Sequence, residues 1–136
     1  MSNTEQTLSI IKPDAVERNL ENEIKAMFKN KEFLIVKEKK IQIEKSEAEK
    51  FYKVHETKPF YNDLCAYLSS GPIVVMILEG ENAVSANRKL MGSTNPKDAE
   101  KNTIRKLYGI SIDKNSVHGS DSIENARNEI KFFFKN

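Results

Sequence analysis

The chain has 136 residues, of which 22 are Lys or Arg and 20 are Asp or Glu, giving a formal net charge of +2. That length suits one domain, 1–136, with a core of its own, and the near balance of charge excludes a global field that would draw the surface onto nucleic acid or anionic lipid, so any anion site has to be local. A single cysteine, Cys65, excludes a disulfide framework and, with only two histidines, a structural zinc site, while MSNTEQT lacks the features of a signal peptide and the longest apolar run, Ile73 to Leu78, is too short to span a bilayer; the expected setting is cytoplasmic, with no membrane partner.

In chain order, Leu8 to Ile11 is a short apolar run ended by Lys12-Pro13, which reads as a first strand, because proline cannot continue a ladder but suits the first turn of a helix. Lys12 shares parity with Leu8 and Ile10 and so points to their face at the strand's carboxyl end. Leu20, Ile24, Met27 and Phe28 have helical spacing. Phe33 to Val36 followed by Ile41 and Ile43 reads as a second strand, with Lys37 to Lys40 as its solvated part. Ser46 with Glu49 resembles a capping box opening a helix through Ala48, Phe51, Tyr52 and His55, closed by Lys58-Pro59.

Phe60, Tyr61, Leu64, Tyr67 and Leu68 again have helical spacing, and Ser69-Ser70-Gly71-Pro72 breaks the chain before IVVMIL, a strand buried on both faces. Glu81-Asn82 begins another helix with Ala83, Val84, Asn87, Leu90 and Met91 on one side and Gly92 as its stop. Residues 93–114 read as a long, mostly irregular loop with helical spacing only around Thr103 to Leu107. A short strand near Val117 then leads into a last helix, with Asp121 and Glu124 as capping box and Ile123, Ala126, Ile130, Phe133 and Phe134 as apolar stripe. Strands and helices in this order favour an α+β fold, a ferredoxin-like sandwich with a four-stranded antiparallel sheet and helices packed on it.

The stretch NSVHGSDS, Asn115 to Ser122, puts His118 at a strand-to-helix turn with little apolar cover, where free backbone N–H groups can meet an anion. Glu129 lies near the border of the last helix's apolar stripe, roughly 80–90° from its centre. From there its carboxylate can accept a hydrogen bond from one imidazole nitrogen of His118 and leave the other as a nucleophile; the plainer reading is a solvated helix glutamate. Ser120, His118 and Asp121 are too close in sequence to form a hydrolase triad. Arg88, Thr94, Arg105 and Lys12 are the residue types that hold a polyphosphate, though surface arginines would look the same. Phe60 offers a ring face to a nucleobase, with a core position as the alternative. There is no Walker A sequence and no kinase glycine loop, and a covalent histidine route fits that gap.

Together these stretches resemble the nucleoside diphosphate kinases, particularly the bacterial type: IIKPDAVER, FYKVHETKPFY, SGPIVVMILEGENAV, RKLMGSTNP, TIRKLYG and NSVHGSDSIENARNEIKFFF cover essentially the whole chain. The resemblance implies that His118 is the phosphorylated nucleophile of a ping-pong transfer from a nucleoside triphosphate to a nucleoside diphosphate. It makes Glu129 the carboxylate that orients His118, Ser120 the hydroxyl beside them and Tyr52 a neighbour of the histidine. Lys12, Arg88, Thr94, Arg105 and Asn115 match positions that hold phosphates or sugar, with Lys12 and Asn115 near the ribose hydroxyl, and Phe60 matches the base-stacking aromatic. It also implies Mg2+ held mainly by the nucleotide phosphates, with no dedicated protein ligands, ATP as donor, and a homo-tetramer or homo-hexamer that recognises no specific nucleic acid. The competing function is a non-catalytic nucleotide- or nucleic-acid-binding module on the same fold. Lys101-Asn102 departs from the family's usual Pro-Gly, and Asn22 from a common glycine.

Overall fold

The structure, a computed structural model, describes residues 4–112 and 114–134. Four strands, β1 (Thr4–Ile11), β2 (Leu34–Ile41), β3 (Ile73–Glu81) and β4 (Val117–Gly119), form one sheet in the order β2-β3-β1-β4. Every neighbouring pair is antiparallel, as the ferredoxin-like reading expects.

Among the described residues seven α-helices connect and cover the sheet: α1 (Pro13–Glu17), α2 (Glu21–Asn30), α3 (Lys45–Phe51), α4 (Tyr61–Leu68), α5 (Ala83–Met91), α6 (Ile104–Tyr108) and α7 (Ile123–Phe133). The alternation of β1 divides the core. Leu8 and Ile10 join Val75, Ala48, Tyr52, Cys65, Leu68 and Phe133 under α3, α4 and α7, whereas Ile11 joins Met76, Leu78, Ile24, Phe28, Leu90 and Met91 under α2 and α5. Helices on both faces explain why β3 reads as an unbroken apolar run: its residues Ile73 to Leu78 are all buried.

β2 is an edge strand with a bulge between Ile35 and Lys37, and it leaves Leu34 and Val36 exposed, so only part of the Phe33–Val36 run serves the core. Several boundaries differ from the sequence reading. The helix assigned to a Ser46/Glu49 box begins two residues earlier, with Glu44 as N-cap and the Glu47 carboxylate accepting the Glu44 N–H at 3.1 Å; it ends at Phe51, and a 3-10 turn, Lys53–His55, carries the chain onward. α7 is capped by Ser122, whose hydroxyl accepts the Asn125 N–H at 3.1 Å, while Asp121 accepts from the Asn125 side chain, so Asp121 and Glu124 do not form the expected box. Ser122 and Asp121 are cap types of similar strength one residue apart, whereas at α3 the backbone enters the helix at Glu44, two residues before the better cap type Ser46.

Gly92 ends α5 at a φ of 87°, and an added Cβ there would lie 2.6 Å from the Thr103 hydroxyl. Residues 93–112 are more ordered than expected, holding a 3-10 turn, Pro96–Asp98, and α6, whose N-cap Thr103 accepts the Lys106 N–H. The departure at Lys101-Asn102 forms a tight turn closed by the Thr103 N–H to the Glu100 carbonyl, with Asn102 at a φ of 67°. Asparagine is the residue that best replaces glycine there. No helix among the described residues is long and apolar enough to cross a membrane.

Candidate active site

β4 pairs with β1 so that His118 lies opposite Ile10, which puts the imidazole on the face of Leu8, Ile10 and α7. Its Nε2 lies 2.9 Å from Glu129 Oε1. The same oxygen accepts the Ser120 hydroxyl at 2.9 Å, and that hydroxyl in turn accepts the Leu8 N–H at 3.3 Å. A carboxylate that accepts from both neighbours requires the histidine proton on Nε2, leaving the Nδ1 lone pair uncommitted when the ring is neutral. Glu129 thus occupies the border position read from the helix, with its side chain 19% exposed.

The histidine has more apolar cover than its turn suggested. The Phe51 ring centroid is 5.3 Å from the imidazole at an interplanar angle of 72°, and Tyr52 stands 6.4 Å away at 80°. The expected supply of free amides is also smaller, because the Ser120 N–H donates to the Leu8 carbonyl. Positive charge for an anion comes instead from two arginines.

His118 opens into a cleft of about 340 Å3 shared with Tyr52, Arg88, Thr94, Arg105 and Glu129. Arg88 is exposed on the last turn of α5. Arg105 is buried, with its two terminal nitrogens donating to the Gly92 carbonyl at 3.0 Å and the Val117 carbonyl at 2.9 Å, while its Nε has no hydrogen-bond partner. Burial, reinforced by the Arg88 guanidinium, pushes Arg105 down to about 10. Burial, reinforced by the Glu129 carboxylate, pushes the Tyr52 hydroxyl well above its ordinary range, so it stays protonated and able to donate.

The remaining expected residues lie outside this lining. Lys12 and Asn115 are buried and meet each other, Nζ to Oδ1 at 3.0 Å, and the Asn115 amide donates to the Thr94 carbonyl at 3.1 Å, tying the pair to the cleft wall. Phe60 is 47% exposed, which removes the core alternative for it, and it reaches the cleft only through His55, whose ring lies 5.9 Å from Phe60 and 6.2 Å from Tyr52. His55 and Phe51 are among the cleft residues that pattern reading passed over. Both were assigned simply to a helix stripe; their signal was their spacing from Tyr52, one before and three after. Asp121 also faces the cleft. Among the described residues no group of three or more His, Cys, Asp or Glu is placed to hold a metal ion.

A family model described as nucleoside diphosphate kinase matches residues 5–136. The nucleoside diphosphate kinase of a Nitratiruptor species is 57% identical over 130 residues, covering 96% of this chain and 95% of its own length, and that of Persephonella marina is 55% identical, covering 96% and 93%. The crystal structure of the Aquifex aeolicus nucleoside diphosphate kinase superposes with a TM-score of 0.95 at 39% identity, covering 98% of this chain and 96% of that one; the Encephalitozoon cuniculi enzyme gives 0.94 at 38%, covering 97% and 90%. With one family model spanning nearly the whole chain, relatives more than half identical and the same fold in solved members, the chain belongs to the nucleoside diphosphate kinase family of enzymes.

Proposed function

We propose that the chain, as one domain, 1–136, moves the γ-phosphate of a nucleoside triphosphate onto a nucleoside diphosphate through a phosphohistidine on His118. The observation that carries this reading is the imidazole held at Nε2 by Glu129, itself braced by Ser120, at the wall of an arginine-lined cleft. The Nδ1 lone pair attacks the γ-phosphorus, the bond to the bridging oxygen breaks, and its electron pair leaves with the diphosphate. A second diphosphate then attacks phosphohistidine with its terminal oxygen and restores the neutral ring. The Glu129 carboxylate faces the positive charge that the ring acquires while Nδ1 carries the phosphoryl group.

In this reading Arg88, Arg105 and Thr94 hold phosphates, Lys12 and Asn115 the ribose side and the adjoining phosphate, Phe60 the base, and Tyr52 donates beside His118. A divalent cation arrives with the nucleotide, and we assign it as Mg2+. Apart from the committed Glu129, Asp121 is the carboxylate at the cleft, and one carboxylate suits an ion whose other ligands are phosphate oxygens and water. We further assign the chain to the cytoplasm, where a buried free Cys65 stays reduced, and to a homo-tetramer or homo-hexamer, for which Leu34 and Val36 on an edge strand and Leu107, Ile110 and Ile112 offer exposed apolar surface. A binding module without transfer would have no use for the His118–Glu129–Ser120 arrangement.

The test is incubation with γ-labelled ATP and Mg2+, followed by a quench. An acid-labile, base-stable phosphoprotein that GDP discharges, absent from His118→Ala and suppressed by chelator, is the expected result. No label in the native chain, or label persisting in His118→Ala, overturns the reading.

A further inference from the structure

Three separate segments carry the polar groups at the cleft and beside it: Lys12 directly after β1, α6 with Arg105, and Asn115 to His118 running into β4. One side chain outside the cleft touches the last two of these and α1, the helix that begins directly after Lys12. Arg18, at the carboxyl end of α1, donates from Nε to the Asp14 carbonyl at 3.1 Å, and from one terminal nitrogen to the Asp14 carboxylate at 3.2 Å, to the Tyr108 carbonyl at the end of α6 at 2.6 Å and to the Ser116 hydroxyl at 3.4 Å. Asp14 is almost fully covered, its side chain 3% exposed; its carboxylate also accepts from the Tyr67 and Ser116 hydroxyls.

Ser116 is the residue this bracket grips, and it sits at a φ of 80°, a conformation that a residue other than glycine keeps only when its surroundings impose it. Its neighbours carry the site. Asn115 accepts Lys12 Nζ, the Ser116 carbonyl accepts the Lys12 N–H at 2.8 Å, the Val117 carbonyl accepts Arg105, and His118 follows. A change in the backbone at Ser116 would therefore move Lys12, Asn115 and Arg105 relative to the imidazole.

We propose that Arg18 is a positioning residue for phosphoryl transfer: paired with Asp14, it holds Ser116 and the end of α6 and so sets Lys12, Asn115 and Arg105 against His118 without touching the substrate. The inference rests on the transferase reading above. It depends on two donating nitrogens held in one plane: Nε keeps the Asp14 carbonyl while the terminal nitrogen meets the Asp14 carboxylate, the Tyr108 carbonyl and the Ser116 hydroxyl; a lysine keeps the charge beside Asp14 but has one nitrogen and cannot hold both places.

The experiment is rapid-quench labelling with γ-labelled ATP and Mg2+ on the native chain, Arg18→Lys and Ser116→Gly, reading separately the labelled fraction of folded chains and the labelling rate constant at saturating ATP. Ser116→Gly suits the φ of 80° and removes only the gripped hydroxyl, so it folds even where the arginine variant does not. The expected result is full labelling in both variants with a rate constant lower by on the order of tenfold or more, the usual cost of small misplacements at a reacting centre. Labelling at the native rate overturns the proposal, and so does a reduced labelled fraction at the native rate, which is what support of the fold alone produces. Absence of label in the native chain would strike the transferase reading first and this proposal with it, which separates the two failures.

Discussion

His118 and Glu129, eleven positions apart and on different elements, meet at 2.9 Å, and the oxygen that receives the imidazole is the one that receives the Ser120 hydroxyl. Two donors on one carboxylate oxygen fix the proton on Nε2 and so decide which ring nitrogen faces the reaction. Glu129→Gln keeps the shape but presents an amide that can also donate to the ring. Phosphoenzyme formation is expected to fall by on the order of 10²-fold. Ser120→Ala removes one brace of about 1 kcal/mol and should cost up to roughly tenfold. Single-turnover labelling of the two variants checks the order; a Ser120→Ala loss larger than that of Glu129→Gln would contradict it.

Arg105 lies between two carbonyls with its Nε unpartnered and the Arg88 charge beside it. Arg105→Ala is expected to lower transfer by on the order of 10²-fold or more, since a charge clamp on the transferring group is lost. The same substitution leaves two carbonyls without their donor, so the rate has to be expressed per labelled chain. An unchanged rate on that basis would remove Arg105 from the clamp.

Gly119 follows the nucleophile, and a Cβ there would lie 2.5 Å from the Asn87 amide nitrogen and 2.8 Å from Met91. α5, which carries Arg88, packs onto β4 through this close approach. Gly119→Ala should destabilise the fold by about 1–3 kcal/mol through overpacking and also slow labelling, because helix and strand are forced apart. Denaturant unfolding together with labelling kinetics tests both halves.

At Asn102 a φ of 67° makes a backbone prediction that is independent of the chemistry. Asn102→Gly should leave stability unchanged or slightly raised, whereas Asn102→Ala should cost about 1 kcal/mol, the penalty for a Cβ in the left-handed region. Equal midpoints for the two variants would show that the turn relaxes out of this conformation.

Burial pushes Tyr52 and Tyr67 above the ordinary tyrosine value of 10.0, with the Glu129 charge adding at Tyr52 and the Asp14 carboxylate adding at Tyr67. Above about pH 10 the unfolded chain gives up phenolic protons that the folded chain keeps, so stability present below that pH is lost as pH rises. Arg105, pushed down to about 10, acts in the opposite sense over the same range. The tyrosine contribution therefore has to be read as a difference. Between about pH 8 and about pH 10.5 the melting temperature of Tyr52→Phe should fall less than that of the native chain. An equal fall would remove Tyr52 as a source of the alkaline loss.

Much of the architecture was legible because short-range rules set it. Alternation in β1, the apolar run of β3, the glycine stop of α5 and the amphipathic stripe of α7 each follow from one residue's relation to near neighbours. Caps were less legible, since Ser122 competes with the adjacent Asp121 of similar capping power and Glu44 caps α3 in place of the better cap type Ser46, a choice that only the backbone's path makes. Leu34 and Val36 belong to the apolar run that reads as a strand but lie exposed, because the sequence does not say that β2 sits at an edge.

For the site, the sequence by itself determined the inventory: a histidine at a strand-to-helix turn, a glutamate at the border of a helical stripe, a lysine at a strand's end and arginines in the right segments. It did so because residue type and periodic position are local properties. Only the tertiary structure decided which nitrogen of His118 is held, that Phe51 and Tyr52 cover the ring, that Lys12 meets Asn115 behind the cleft, and that Arg18 brackets three segments. Those contacts join residues as far as 103 positions apart, and their distances exist only once the sheet order β2-β3-β1-β4 has brought the segments together.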